Sequence, residues 1–180
     1  VPAIRLSLRG EATLHKNFVD CIKYAKENGI KEVSTLTHGF KLTLPFFKKI
    51  ADAGIDWITI SIDGIDEVYE SIRKPLKFSD LLKKIKDIHE FKKKNGLKRP
   101  VIKVQGIWPA IEKNLEKYYD TFKKCTDLVA FNPLIDYLWN DDILEYENNF
   151  SCPQQYQRLV IGADGKVMKC SNDEENIEVI

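Results

Sequence analysis

One pattern recurs along this sequence and constrains its fold more than any other feature. Short apolar runs each end in a small polar or glycine-containing cluster, and segments with helical spacing separate them. The runs are Ile4–Leu8, Glu32–Leu36, Trp57–Ile62, Val101–Gln105 and Leu128–Phe131. Such alternation is typical of parallel strands joined by right-handed helical crossovers. It predicts an α/β fold whose functional groups lie at the carboxyl ends of the strands.

The intervening segments predict the helices and a boundary between two parts of the chain. Apolar spacing, caps and breakers favour helices over Asn17–Asn28, from Thr43 to Gly54, over Asp66–Ile72, from Ser79 to Asn95 and over Asn114–Lys124. We therefore expect residues 1–134 to form a partial (β/α)6 barrel of the TIM type. Residues 135–180 lack this alternation, and we expect an irregular connector over 135–151 followed by a hairpin around the turn pair Asp164-Gly165.

Composition excludes several classes of protein. The chain is 43% hydrophobic and 31% charged with a net charge of +1, so no global charge attracts nucleic acid. Lysines interleave with acids on the segment from Lys83 to Lys92, which is typical of a solvated helix face. No apolar run is long enough for a membrane span, and no signal peptide is visible at Val1. Four scattered cysteines favour a reducing, cytoplasmic compartment.

The strand ends supply the candidate binding residues, and each has a plainer interpretation. The glycines are also ordinary turn residues, His38 is also an ordinary polar loop residue, and Asp63 is also a candidate N-cap for the following helix. Taken together, the polar clusters predict one site at a single edge of the sheet. The candidates are Gly10, Glu11, Thr37, His38, Gly39, Ser61, Asp63, Gly64, Gln105 and Asn132.

At these clusters the chain resembles the radical S-adenosylmethionine (SAM) enzymes. Residues 8–14 (LRGEATL) are similar to the family's GGEPLL strand end, and residues 37–42 (THGFKL) to its TNGxxL segment. Residues 61–64 (SIDG), residues 69–73 (YESIR) and the pair Val104-Gln105 follow in the family's order. Cys152, the Asp164-Gly165 turn and Cys170 resemble the start of a SPASM or twitch extension.

The resemblance implies a role for each cluster. Gly10 and Glu11 would bind the SAM amino group, while Ser61 and Arg73 would hold its carboxylate or ribose. Asp63 would contact a ribose hydroxyl, and Gln105 and Asn132 would complete the pocket near the ribose and adenine, beside Thr37 and His38. In this family a [4Fe–4S] cluster and SAM generate a 5′-deoxyadenosyl radical that abstracts hydrogen from a small-molecule or peptide substrate.

The cysteines depart from the family pattern. The CxxxCxxC loop that holds the radical-generating cluster is not among these residues, so we expect the chain to be a fragment of a larger enzyme or a degenerate barrel. Cys21 and Cys125 lie on helical patterns, which predicts buried structural thiols. Cys152 and Cys170 are candidate ligands of an auxiliary iron–sulfur cluster, although half of a zinc site or two plain thiols would give the same spacing.

Two other functions compete with the enzyme hypothesis. A non-catalytic barrel could bind a nucleotide-like ligand or a partner protein. A phosphate-binding aldolase or isomerase would need a catalytic lysine or paired acids at the strand ends. Lys103 lies inside a predicted strand and no glycine-rich phosphate loop follows the late strands, so we rank this alternative last.

Overall fold

A parallel sheet organises the first part of the chain. The computed structural model describes residues 1–133, 151–168 and 170–171. Five strands form one sheet in their chain order, and every neighbouring pair is parallel. The strands are β1 (Ala3–Arg5), β2 (Glu32–Thr37), β3 (Trp57–Ser61), β4 (Val101–Ile107) and β5 (Leu128–Asn132).

Helices connect the strands and cover one face of the sheet. Strand residues such as Val33, Ile58, Ile60 and Val104 alternate towards this face and are buried with apolar residues of the helices. The helices are α1 (Phe18–Glu27), α2 (Leu44–Asp52), α3 (Asp66–Ile72), α4 (Phe78–Lys94), α5 (Trp108–Ile111) and α6 (Leu115–Phe122), with two short 3-10 helices (Ala12–Leu14 and Glu112–Asn114). This confirms the predicted α/β fold, a partial TIM-like barrel.

The opposite face of the sheet carries the alternate side chains. Trp57, Ser61, Lys103 and Gln105 point to this face and are only half-buried. Strand register places Ser61 directly beside Gln105. In a closed barrel this face is the interior, so these side chains would line the lumen.

Two aspartates brace the amino-terminal edge of the sheet. Asp56, just before β3, accepts a hydrogen bond from the backbone N–H of Val33 in β2 at 2.8 Å. Its carboxylate also pairs with Lys26 of α1 and with Arg99, each at 2.9 Å. Burial opposes the charge of Asp56, but these donors and cations outweigh it and hold the pKa of the carboxyl below its ordinary value.

Asp127 makes the same kinds of contact between β4 and β5. It precedes β5 and accepts a hydrogen bond from the backbone N–H of Ile102 in β4 at 2.7 Å. It also pairs with Lys92 of α4, whose ammonium is buried and donates to the carbonyl oxygen of Pro100 at 2.6 Å. Each aspartate thus joins two strands and one helix at the edge of the sheet opposite the predicted site.

Side chains explain why the end of the first strand and the start of α4 differ from the prediction. The first strand is shorter than Ile4–Leu8 because Ser7 Oγ accepts the N–H of Leu36, which ends the backbone ladder. Ser79 is not the cap of α4. The helix begins at Phe78, whose N–H donates to Glu70 Oε1 of α3 at 3.2 Å.

The remainder of the chain forms a second unit. Contacts divide the protein into Val1–Leu134 and Ile135–Ile180. In the second unit the structure contains a short helix, α7 (Gln154–Gln157), and an antiparallel pair, β6 (Val160–Ile161) and β7 (Val167–Met168). Gly165, at φ +83°, turns the hairpin as predicted. The predicted connector lies outside the described residues except for Ser151.

Across residues 1–133, 151–168 and 170–171, none of the helices has the length and apolar character needed to cross a bilayer.

Candidate functional site

Glu11 follows β1 and is the centre of a hydrogen-bond cluster. Its Oε1 accepts bonds from the Thr13 N–H at 3.2 Å, the Thr13 hydroxyl and the Thr37 hydroxyl, the last at 2.7 Å. Its Oε2 accepts the backbone N–H of His38 at 2.8 Å. Thr37 and His38 stand at the end of β2, so the Glu11 carboxylate ties the loop after β1 to the end of the neighbouring strand.

These bonds determine the charge of Glu11. Burial raises the pKa of the carboxyl, but the bonds from Thr13, the His38 backbone and Thr37 together lower it further, and the net result is below the ordinary value. The carboxylate is therefore ionised at neutral pH. A carboxylate offers about four lone-pair positions, so internal donors already fill most of its capacity.

The His38 side chain occupies the remaining side of Glu11. The backbone N–H of Phe40 donates to His38 Nδ1 at 3.1 Å, which assigns the imidazole proton to Nε2. Nε2 lies 3.3 Å from Glu11 Oε2, the longest of the contacts to this carboxylate. The His38 ring is thus held against Glu11 and the Phe40 backbone.

A second cluster lies at the end of β3. Arg73, the C-cap of α3, donates from Nη2 to Ser61 Oγ at 3.0 Å and to Asp63 Oδ2. Asp63 is buried and Arg73 is partly exposed. The plainer interpretation of Asp63 as a helix cap was wrong, because the N-cap of α3 is Ile65.

Two buried tyrosines flank this cluster, and their hydroxyls differ. Tyr118 donates to the carbonyl oxygen of Ile62 at 3.0 Å. Among the residues that the structure describes, Tyr69 Oη and Arg73 Nε are buried without a hydrogen-bond partner. A buried polar group left unpaired costs about 1–3 kcal/mol. Sequence reasoning matched Tyr69 only to a family motif, and its spacing from Arg73 was the available signal.

A third unpaired group lies elsewhere on the sheet. Trp57 Nε1, at the start of β3, is also buried and lacks a partner among the described residues. Trp57 belongs to the face that the helices leave uncovered, at the opposite end of β3 from Ser61.

Gln105 and Asn132 stand at the ends of β4 and β5. Gln105 lies beside Ser61 in register, and its Oε1 accepts a hydrogen bond from Lys103 Nζ at 2.7 Å. Asn132 pairs in register with Ile107 and is exposed. Gly106, the residue after Gln105, permits the close approach of Ile62 and Tyr118 to β4, because a Cβ there would lie 2.9 Å from the Ile62 carbonyl oxygen and 3.0 Å from the Tyr118 hydroxyl.

A cavity of about 180 Å³ opens beside the ends of β2 and α3. It is smaller than the ~300 Å³ at which ligand pockets usually begin, so it accommodates part of a ligand at most. The residues that line it are His38, Gly39, Phe40, Tyr69, Pro75, Leu76, Lys77, Asp80, Leu81 and Lys84.

Of the two cysteines that were predicted to be buried, one is buried and one is exposed. Cys125 is buried as expected, and burial raises the pKa of its thiol. Cys21 is exposed, so its prediction was wrong: α1 buries Phe18, Ile22 and Ala25, and Cys21 lies beside that stripe. Cys152 is exposed and Cys170 half-buried. The described portion of the chain contains no group of three or more His, Cys, Asp or Glu side chains placed to hold a metal ion.

Comparison with known proteins finds relatives that match parts of this chain. A probable GTP 3′,8-cyclase of Sulfolobus acidocaldarius is 39% identical over 89 residues, 49% of this chain and 27% of the relative. A probable GTP 3′,8-cyclase of Methanocaldococcus jannaschii is 28% identical over 150 residues, 79% of this chain and 45% of the relative. A 7,8-dihydro-6-hydroxymethylpterin dimethyltransferase of the same organism is 36% identical over 67 residues, 37% of this chain and 13% of the relative.

The matched segments cover only part of each relative, less than half of its length in all three cases. A sequence model of a whole enzyme superfamily matches two thirds of this chain. It matches residues 6–125, which begin directly after β1 and include the ends of β2, β3 and β4. The chain therefore belongs to the radical SAM superfamily, whose enzymes use SAM and a [4Fe–4S] cluster.

Proposed function

We propose that this chain is the SAM-binding part of a radical SAM enzyme that acts on a small-molecule or peptide substrate. The observation that carries the proposal is the Arg73–Asp63–Ser61 cluster at the end of β3. It stands one strand away from the Glu11 cluster, at the edge where parallel α/β folds bind ligands. Both clusters lie within the segment that matches the superfamily.

The cofactors would supply the difficult chemistry. When bound, SAM and the [4Fe–4S] cluster supply a 5′-deoxyadenosyl radical for abstraction of a substrate hydrogen. We place the ligands of that cluster outside these 180 residues, because the four cysteines, at 21, 125, 152 and 170, do not form a CxxxCxxC motif.

Arg73 would bind the SAM carboxylate. Its guanidinium carries five N–H donors, of which Nη2 already contacts Ser61 and Asp63. The Nε donor is buried and unpaired among the described residues, so the group retains capacity for an anionic oxygen. Ser61 and Asp63 would orient the guanidinium, and Asp63 could also accept a ribose hydroxyl.

Glu11 fits the SAM amino group less simply than the resemblance implied. Its carboxylate already accepts bonds from Thr13, Thr37 and the His38 backbone. An ammonium would gain access by replacing the His38 ring, whose contact with Oε2 is the longest at 3.3 Å. We therefore assign Glu11 two roles, as a brace between the ends of β1 and β2 and as the ammonium acceptor, with Gly10 beside it.

The remaining site residues would complete the pocket. Gln105, beside Ser61 in register, and Asn132 at the next strand end would face the ribose and adenine. Lys103 carries a positive charge on the uncovered face of the sheet, next to Gln105. An anionic substrate would suit that face, and the relatives named GTP 3′,8-cyclases make a nucleotide the first substrate class to test.

The C-terminal unit would be the start of a SPASM-like or twitch-like extension over residues 135–180. The hairpin of β6 and β7 lies between Cys152 and Cys170 in the sequence, which supports this assignment. We propose that both thiols bind an auxiliary iron–sulfur cluster together with further ligands.

Anaerobic iron–sulfur reconstitution of the intact protein, followed by a test for 5′-deoxyadenosine, examines the proposal. We expect a cluster spectrum and reductant-dependent formation of 5′-deoxyadenosine, and a strong loss of that product in Arg73→Met. A cluster-free protein that cleaves no SAM would contradict the proposal. Retained binding of SAM or a nucleotide without cleavage would instead favour the non-catalytic barrel.

A further inference from the structure

Two buried hydrogen-bond donors belong to residues one turn apart at the end of α3. Tyr69 and Arg73 are four residues apart, and the Arg73 N–H donates to the Tyr69 carbonyl oxygen at 2.9 Å, so one helical turn separates them. Side chains with this spacing are neighbours on one face of a helix. Neither Tyr69 Oη nor Arg73 Nε has a hydrogen-bond partner among the described residues.

Tyr118 shows that burial alone does not explain these unpaired donors. Tyr69 and Tyr118 are each 1% exposed, and both pack against aromatic rings of the same core. The Tyr118 hydroxyl nevertheless donates to the Ile62 carbonyl oxygen at 3.0 Å. The fold therefore satisfies one buried tyrosine internally, whereas the described residues offer the other no acceptor.

Charge at this position favours an anionic oxygen as the missing acceptor. Asp63 already accepts from Arg73 Nη2, which leaves Nε as a second donor directed elsewhere. Burial raises the pKa of Tyr69, so its hydroxyl keeps its proton at neutral pH and can donate it to a hydrogen bond. Tyr69 also lines the small cavity beside β2, which provides room near the ring.

We propose that Tyr69 is a further ligand-binding residue, and that its hydroxyl and Arg73 Nε together donate to one oxygen of the SAM carboxylate. This inference rests on the proposed function, because it takes SAM as the ligand of the strand-end site. The Tyr69 hydroxyl would be a neutral donor beside the charged guanidinium. It would strengthen binding of an oxygen that accepts a hydrogen bond, but it would add no charge to attract an anion.

Binding of two SAM analogues to the intact protein tests the inference without requiring activity. S-adenosylhomocysteine keeps the carboxylate, whereas 5′-methylthioadenosine lacks it. We expect Tyr69→Phe to weaken S-adenosylhomocysteine binding about fivefold to tenfold, the equivalent of one net hydrogen bond, and to leave methylthioadenosine binding within twofold of wild type. The melting temperature of the free Tyr69→Phe protein should equal or exceed that of wild type.

Tyr118→Phe is the matched control. It removes a hydroxyl that is already satisfied, so we expect a lower melting temperature and unchanged affinity for S-adenosylhomocysteine. Wild-type affinity of Tyr69→Phe for S-adenosylhomocysteine would overturn the inference, with or without a fall in stability. Equal weakening for both analogues would place the contact on the nucleoside and overturn the carboxylate assignment. A wild-type protein that binds neither analogue would refute the proposed function itself, and the ligand assignment with it.

Discussion

The two edges of the parallel sheet use charged side chains in different ways. At the amino-terminal edge, Asp56 and Asp127 each bind a neighbouring strand and a lysine from a helix. At the carboxyl-terminal edge, Glu11 accepts mainly hydroxyl and backbone donors, and Arg73 retains an unpaired donor among the described groups. The charges at the first edge are paired within the fold, whereas at the second edge Arg73 keeps a donor that we propose binds a ligand.

The largest expected effect is at the amino-terminal edge. Asp56→Ala removes the acceptor of the Val33 N–H and the counter-charge of Lys26, whose ammonium keeps only the Lys31 carbonyl oxygen. We expect a loss of about 3 kcal/mol in the free energy of unfolding. Urea denaturation measures this loss. Affinity for S-adenosylhomocysteine in the folded protein should remain that of wild type. A large fall in affinity would contradict the assignment of Asp56 to the fold alone.

An exposed pair offers the control for that experiment. Lys83 and Asp87 form an i,i+4 ion pair on the surface of α4, with side chains 75% and 44% exposed. We expect Asp87→Ala to change the free energy of unfolding by less than about 0.5 kcal/mol.

Glu11→Gln should have the next largest effect and should alter both properties. An amide nitrogen cannot accept the bonds that one carboxylate oxygen now receives, so we expect a loss of about 2 kcal/mol in stability. Affinity for SAM should fall more than tenfold, since the ammonium acceptor loses its charge. Thr13→Val, which removes one donor to the same carboxylate, should cost less stability and leave the affinity near wild type.

Acid should lower the free energy of unfolding by protonating one carboxylate at each edge, Glu11 and Asp56. The pKa values of Glu11 and Asp56 are lowered in the folded protein, so the unfolded state binds more protons as pH falls. Their contribution is present above the ordinary carboxyl pKa values of 4.5 and 3.8 and is lost as pH falls through the lowered folded values. Urea titrations between pH 3 and 7 should show a smaller acid-induced loss in Glu11→Gln and Asp56→Ala than in wild type, and parallel profiles would contradict this.

Ser61→Ala should have the smallest effect on the fold. It removes one acceptor from Arg73 Nη2, which keeps Asp63, so we expect a change of less than about 0.5 kcal/mol in stability. Affinity for S-adenosylhomocysteine should fall roughly threefold because the guanidinium is less well oriented. A stability loss as large as that of Asp56→Ala would show that this cluster is structural.

The sequence was most informative where local rules decide the structure. Thr43 caps α2, accepting the Phe46 N–H at 3.4 Å, and α3 spans Asp66–Ile72 as predicted, because capping and breaker residues act within a few positions. The start of α4 was missed because its capping group, Glu70, belongs to another helix. Cys21 was misplaced because a one-residue step rotates a side chain about 100° around a helix.

The site could be predicted only in part for the same reason. Strand-end reasoning brought Glu11, Thr37 and His38 together, since parallel strands align their carboxyl ends. It overlooked Asp56 and Asp127 because both precede their strands. It could not identify Tyr69 as unpaired, because that property depends on every atom around its hydroxyl rather than on any sequence pattern.

The most direct test of the difference between the edges is the location of bound ligand. Backbone amide NMR spectra of the intact, cluster-free protein would be recorded during titration with S-adenosylhomocysteine. We predict saturable shifts at Glu11, His38, Ser61 and Arg73, with none at Asp56 or Asp127. Shifts centred on Asp56 and Asp127, or no saturable shifts at the carboxyl-terminal edge, would contradict a SAM site at the ends of these strands.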